Sequence, residues 1–248
     1  MSDSMKKILA SVGIGNATVD TVLANDTVRP GDAVDAVVEV EGGDAEQTVD
    51  RIELDVETRY RGEEGYEEAT VDRLHLTDGF TVEPDESTSY ETTLDVPHAT
   101  PLTMGDASVW IDTDLAVSMA VDPEDEDRLE VRPTERMETV FDAAEDLGLS
   151  FRTADCEADP YGRYTDRRFV QEFEFRPAGG PYRGDLDELE LVFDPSPEAL
   201  TVYAEVDRRG GLLSELADAD ERKTSFALPE TDADAARDQL ARTIDRLV

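Results

Sequence analysis

Two runs of alternating residues between Thr27 and Tyr60 constrain this chain more than any other feature of it. In the first, Val34, Ala36, Val38 and Val40 fall on one side, with Asp35, Glu39 and Glu41 on the other. Val37 is the one apolar residue on that polar side. In the second run, Ile52, Leu54, Val56 and Tyr60 alternate with Arg51, Glu53, Asp55, Glu57 and Arg59. A period of two gives each run a dry face and a wet face, as a half-buried antiparallel strand requires. Arg29, Pro30, Gly31 and Asp32 before the first run, and Gly42, Gly43 and Asp44 after it, are turn chemistry. The pair reads as part of a sandwich, and no catalytic motif lies inside it.

With these two runs, at 33–41 and 49–60, strand patterns also occupy residues 17–22, 67–76, 79–82, 87–96, 105–113, 115–121 and 128–132. The turns between them carry Gly62, Gly65, Pro84, Pro97, Pro101 and the pair Asp122 and Pro123. Short strands at this spacing, with no helical period, predict an antiparallel β-sandwich. Trp110, the only tryptophan, is expected in its core, although strand phase places it opposite Val109 and Ile111. The character changes at Pro133 and Thr134, which set a boundary between domains 1–133 and 134–248. Thr134 is a helix cap; Met137, Val140, Phe141, Ala144 and Leu147 form one stripe, and Gly148 stops the helix. Strands follow at 149–156, 169–176, 188–193, 200–206 and 223–228, with a short helix at 211–219. A last helix over 231–247 presents Ala235, Leu240, Ile244 and Leu247 on one stripe. The second domain is thus sheet-rich with flanking helices.

Composition excludes several classes. Asp plus Glu number 61 against 23 Lys plus Arg, a formal net charge of −38. The only lysines are Lys6, Lys7 and Lys223, so the remaining basic residues are arginine. Such a surface predicts a protein built for molar salt, as in an extreme halophile, where the Debye length shrinks to about 3 Å and self-repulsion is screened. A disordered acidic chain is the poorer reading, because 39% hydrophobic residues in clean strand periods can form a core. Nucleic acid is not an expected partner, since binding phosphates needs a cationic footprint. The one cysteine, Cys156, excludes a disulfide framework and a cysteine zinc site, and fits the cytoplasm. Residues 8–14 are too short to span a bilayer, and no cleavage site follows Lys6 and Lys7, so neither stable membrane insertion nor a signal peptide is expected. Residues 4–12, SMKKILASV, read as about two helical turns against the sandwich. The GIGN that follows lacks the third glycine and the preceding strand of a dinucleotide fingerprint.

The sequence offers no catalytic residue, no cofactor site and no metal site. His75 and His98 are the only histidines, too few for a triad or a histidine metal centre. DPEDED, residues 122–127, lacks the glycine and closing glutamate of an EF-hand loop and reads as a solvated turn. Cys156 reads as a buried small residue. Arg163, Arg167, Arg168, Arg208 and Arg209 are clustered cations in an acidic chain. Salt-bridging to nearby carboxylates is their simpler role, and binding an acidic peptide or phosphate of a partner is the sharper one.

Four segments together resemble a known family: KKILASVGIGNATVDTVL, VRPGDAVDAVVEVEGGDAEQTVDRIELDVETRY, PLTMGDASVWIDTDLAVSMAVDPEDEDRLEVRP and VQEFEFRPAGGPYRGDLDELELVF. They are similar to the sporulation-control protein family first named from spore-forming bacilli, over residues 6–213. The resemblance implies an arrestin-like N-terminal sandwich, a second sheet-rich domain, and a non-catalytic cytoplasmic regulator of sporulation entry and of cell-cycle or division events. It brings no catalytic residue. An adaptor that accepts a protein partner by strand addition, at an exposed sheet edge or between the domains, is therefore the expected function. The alternative is a hydrolase or lyase using acids of the C-terminal domain, with arginines holding an anionic substrate. A concave pocket with convergent carboxylates of shifted pKa would favour that enzyme. A sugar- or calcium-binding sandwich would need an oxygen cage that the sequence does not display.

Overall fold

The computed structural model describes residues 16–118, 121–207 and 223–248, and the chain is mainly β. The helices expected at 4–12 and 211–219 lie outside the described residues. Two compact units emerge. One takes the chain up to Thr58, Glu68–Thr100 and Ser108–Val131; the other takes Arg59–Glu67, Pro101–Ala107 and Arg132–Val248.

The first unit is built from β1 (Thr18–Leu23), β2 (Thr27–Val28), β3 (Ala33–Glu41), β4 (Gln47–Gly62), β5 (Gly65–Val82), β6 (Ser87–Asp95), β7 (Val109–Val117) and β8 (Glu124–Val131). The ends of β4 and β5 past Thr58 and before Glu68 belong to the second unit. β1, β3 and β6 form an antiparallel three-stranded sheet with β3 in the middle. Its β1 packs on β7 and β8 and its β6 on β5, where the Thr21 and Thr113 hydroxyls meet at 2.8 Å and the Phe80 and Tyr90 ring centroids lie 5.7 Å apart. The predicted dry faces are the buried ones: Val34, Ala36, Val38 and Val40 on β3, and Ile52, Leu54 and Val56 on β4. Burying an aliphatic side chain of this size contributes roughly 2 kcal/mol, which is why the alternation fixes the register.

Three local expectations are corrected. The patterns at 67–76 and 79–82 are one strand, β5, which runs straight through Gly79. Those at 105–113 and 115–121 meet in one strand, β7, with no break at Asp114. Trp110 is only half-buried and lies opposite Glu57 and Arg128 in the ladder, while Val109 and Ile111 on either side are buried. Strand phase, set by its buried neighbours, outweighs the pull of one large aromatic toward the core.

In the second unit, β9 (Leu149–Ala158), β10 (Phe169–Pro177), β11 (Glu188–Pro195), β12 (Leu200–Asp207) and β13 (Lys223–Leu228) pair antiparallel in sequence order. The tail of β4 lies parallel beside β9, Arg61 opposite Glu157. Helix α1 (Glu135–Asp146) begins at Thr134, whose hydroxyl accepts from the Met137 N–H. Its Phe141 meets Phe173 and Phe193 with ring centroids 5.2 and 5.3 Å apart. Gly148 ends the turn at φ +80°, where a Cβ would lie 2.7 Å from the Gly179 backbone. Helix α2 (Ala233–Leu247) is capped by Asp232, one residue beyond the expected start, and buries Ala236 in place of Ala235 along with Leu240, Ile244 and Leu247.

Candidate functional site

The predicted arginine cluster is only partly assembled among the described residues. Arg163, Arg167 and Arg168 share the loop between β9 and β10, and Arg208 and Arg209 lie outside the described residues. The loop is organised around Asp159, which is 1% exposed. Its carboxylate accepts from the Tyr164 N–H at 3.1 Å and from Arg163 Nε at 3.3 Å, and its own N–H donates to the Arg168 carbonyl at 2.7 Å. Arg167 donates to Asp194 at 3.1 Å and to the Thr165 hydroxyl at 3.2 Å, and burial lowers its pKa. Arg168 holds its side chain in solvent. Tyr164 packs edge-on against Tyr203 and donates to Glu205, and burial with that carboxylate raises its pKa.

The remaining candidates sit in structural roles. His75 lies 3.1 Å from Asp78 and 3.8 Å from Glu53, while the ring of His98 fills the space beside Gly31. In DPEDED, Asp122 accepts from the Val117 N–H at 2.8 Å and Asp125 from the Thr21 N–H at 2.7 Å, so both acids brace backbone. Asp127 is pushed up to about 6 by burial and by Asp125 and Asp20. Cys156 is buried, and burial with Asp106 and Asp155 pushes its thiol up to about 12. A thiol held neutral in this way is a poor nucleophile.

Three arrangements carry no sequence motif. The first joins residues 59–67 and 101–107 to β9 and β10 within the second unit. Gln171 clamps Leu102 by accepting from its N–H and donating to its carbonyl, each at 2.8 Å. Tyr66 donates to Asp106 at 2.6 Å, and the Arg61 guanidinium lies 3.3 Å from Asp155. Asp106 and Asp155 hydrogen-bond to each other, which raises Asp155 and lowers Asp106. Gly105, at φ +66°, permits the approach, since a Cβ there would fall 1.9 Å from the Ala154 carbonyl oxygen.

The second is an acid row on the wet face of β10, β11 and β12, where Glu174 pairs with Glu190 and Glu190 with Glu205. Directly opposed like charges destabilise a sheet. Burial, then Glu172, Glu205, Glu188 and Glu174, push Glu190 up to about 7. Carboxylate oxygens of Glu174, Glu188 and Glu190 lie within 4.8 Å of one another, close enough to share one cation, although Arg176 already pairs with Glu188 at 2.7 Å.

The third is the outer face of the three-stranded sheet in the first unit. Val22 stands beside Val37, and Val37 beside Glu91, in one cross-strand row. Val22 is 51% exposed. A groove of about 530 Å³ runs along this row, bounded by Asp35, Glu91 and Thr93. Among the described strands β6 pairs only with β3, so its outer edge is open. The one visible sequence signal was Val37, the apolar residue out of phase.

No described helix is long and apolar enough to cross a membrane. The Spo0M family profile, described as SpoOM protein, matches residues 5–210. The chain is 42% identical over 210 residues to the sporulation-control protein spo0M of Bacillus subtilis strain 168, covering 82% of this chain and 80% of that one. It also superposes on the crystal structure of Spo0M, sporulation control protein, from Bacillus subtilis, with a TM-score of 0.86 and 35% identity, over 95% of this chain and 100% of that one. On this agreement of sequence and fold, the chain belongs to the Spo0M family.

Proposed function

We propose that this protein is a non-catalytic regulatory adaptor whose arrestin-like first unit binds a partner protein on the outer face of β1, β3 and β6. The observation that carries this reading is the apolar row of exposed Val22 on β1 and half-buried Val37 on β3, which runs to Glu91 on the edge strand β6. An extended segment added to β6 gains main-chain hydrogen bonds along the edge and meets Glu91 first, and chain continuing from it across the sheet face covers Val37 and Val22. The surrounding Asp35 and Glu91 select a segment that carries basic residues between its apolar ones. The name of the Bacillus relative, a sporulation-control protein, supports regulation as the purpose of such binding. The cytoplasm is the compartment proposed, from the single buried cysteine, and molar salt the medium, from the net charge of −38.

The acid-residue hydrolase is the weaker reading. Glu190, the carboxyl raised to about 7, lies mid-sheet and does not line either groove described in the molecule. The polar groove of about 680 Å³ nearby contains Arg176 and Glu188, already paired with each other, with Arg183 and Asp187. Affinity capture from a lysate in molar salt, run in parallel with the full chain and its Val22→Asp/Val37→Asp variant, tests the adaptor. Partners that the full chain retains and the variant loses support it; no partner above background, or equal retention by both, contradicts it.

A further inference from the structure

The face of β1, β3 and β6 that carries the valine row is also charged with one sign only. Its acids Asp20, Asp35, Glu39, Glu41, Glu91 and Asp95 are all exposed, and the three strands contain no lysine, arginine or histidine. Other wet faces mix the signs: Arg51 lies 2.9 Å from Glu53, Arg176 lies 2.7 Å from Glu188, and Arg73 pairs with Asp55. An acid face around an apolar row is complementary to a segment with cations beside apolar residues. Two stretches of the chain have that composition, MKKIL at 5–9 and RRGGLL at 208–213, and both lie outside the described residues. Only the first leads directly into this sheet, through Gly13 and Gly15 to Asn16, just before β1. Asn16 is held there, its side chain donating to the Val121 carbonyl at 2.7 Å and accepting from Gln47 at 2.5 Å. Six residues of strand separate Asn16 from Val22, roughly 20 Å, while the nine residues back from Asn16 to Lys7 span up to roughly 30 Å. A reversal at the two glycines therefore brings Lys7 within reach of the valine row.

We propose that residues 5–9 occupy the groove of their own chain, with Ile8 and Leu9 over Val22 and Val37 and with Lys6 and Lys7 beside Asp35 and Glu91. The inference rests on the reading of this groove as the partner site and adds its regulation: the segment is an internal competitor that a partner displaces. A ligand tethered by a short linker is presented at an effective concentration on the order of millimolar, so a weak contact fills the groove. The partner's apparent affinity then falls by the fraction of chains whose groove is uncovered. Salt separates the two parts of the contact. The lysine pairs are screened in molar salt, while the apolar contact persists and carries the segment there.

Paramagnetic broadening in the full chain is the test, with a nitroxide attached at Ser4→Cys, since buried Cys156 resists labelling. The expected result in molar potassium chloride is a loss of amide intensity at Val22, Val37 and Glu91 that returns when the nitroxide is reduced. Ile8→Asp/Leu9→Asp on the segment, and separately Val22→Asp/Val37→Asp on the groove, should each abolish the loss with an unchanged circular dichroism spectrum. Lys6→Glu/Lys7→Glu should weaken it more at low salt than in molar salt. Full intensity along the valine row, a loss that survives both aspartate variants, or broadening passed from a nitroxide-bearing chain to a separate isotope-labelled chain overturns the proposal. The measurement needs no partner, so it fails separately from the adaptor reading. Broadening in a chain that captures no partner counts for the internal cover and against the adaptor; a partner captured through the groove without broadening counts the other way.

Discussion

The wet face of β1, β3 and β6 and the wet face of β10, β11 and β12 are made from the same residue types and are arranged inversely. In the first unit the acids ring an apolar row, Val22 beside Val37. In the second, the acids occupy the centre, with Glu174, Glu190 and Glu205 side by side. Val22, exposed, and Val37, half-buried, leave apolar area for another surface to cover. Opposed glutamates can be relieved from within, by one of them holding a proton, and Glu190 raised to about 7 is that relief. Acidic composition alone therefore does not say what a face does; the position of the apolar residues within it decides.

Moving charge into the valine row has the largest expected effect. Val22→Asp/Val37→Asp gives the first face the acid centre of the second, and is expected to weaken partner retention at least about 30-fold, the cost of losing a ~2 kcal/mol anchor. Its thermal melt should stay close to wild type, because Val22 and Val37 lie outside the core.

Neutralising the second face has a smaller effect of the opposite kind. The folded chain binds a proton at Glu190 up to about pH 7, whereas a free glutamate releases it near 4.5. More protons are bound folded than unfolded in that window, so this group's stabilisation is complete below about 4.5 and is lost as pH rises through 7. Asp112 and Asp127, each at about 6, act in the same direction in the first unit. Glu190→Gln should therefore stabilise the protein by about 1 kcal/mol at pH 8, change little at pH 4.5, and leave partner retention intact. Denaturation curves at the two pH values check it. A shift from about 0.1 M to about 3 M potassium chloride should raise the melting temperature of wild type more than that of Glu190→Gln, since salt screens the repulsion that the substitution removes. The smallest effect is expected from Arg167→Gln/Arg168→Gln, which should lower stability slightly through the Asp194 contact and retain the partner in a pull-down.

The sandwich was legible because its strands are half-buried, and Val34 to Val40 and Ile52 to Val56 write their burial into the sequence as a period of two. The α1 cap at Thr134 was legible for an equally local reason. Trp110 was misplaced where side-chain type and strand phase disagreed. Residues 59–67 and 101–107 carry no mark of joining the second unit, because what holds them, the Gln171 amide on Leu102 and the Asp106 and Asp155 pair, is long-range in sequence. The acid row was hidden by composition: in a chain with 61 acids, neighbouring glutamates in sequence say nothing about which ones oppose across strands. Val37 stood out of phase in the alternation, but its partner Val22 becomes visible only through the register of β1 on β3.

Hydrogen–deuterium exchange of the full chain, with and without its captured partner in molar salt, tests the adaptor most directly. Partner binding is expected to slow exchange at the amides of Ser87–Asp95, the open edge, with smaller protection across Ala33–Glu41. Unchanged exchange along β6, with protection appearing in the arginine loop at 157–168, would contradict it.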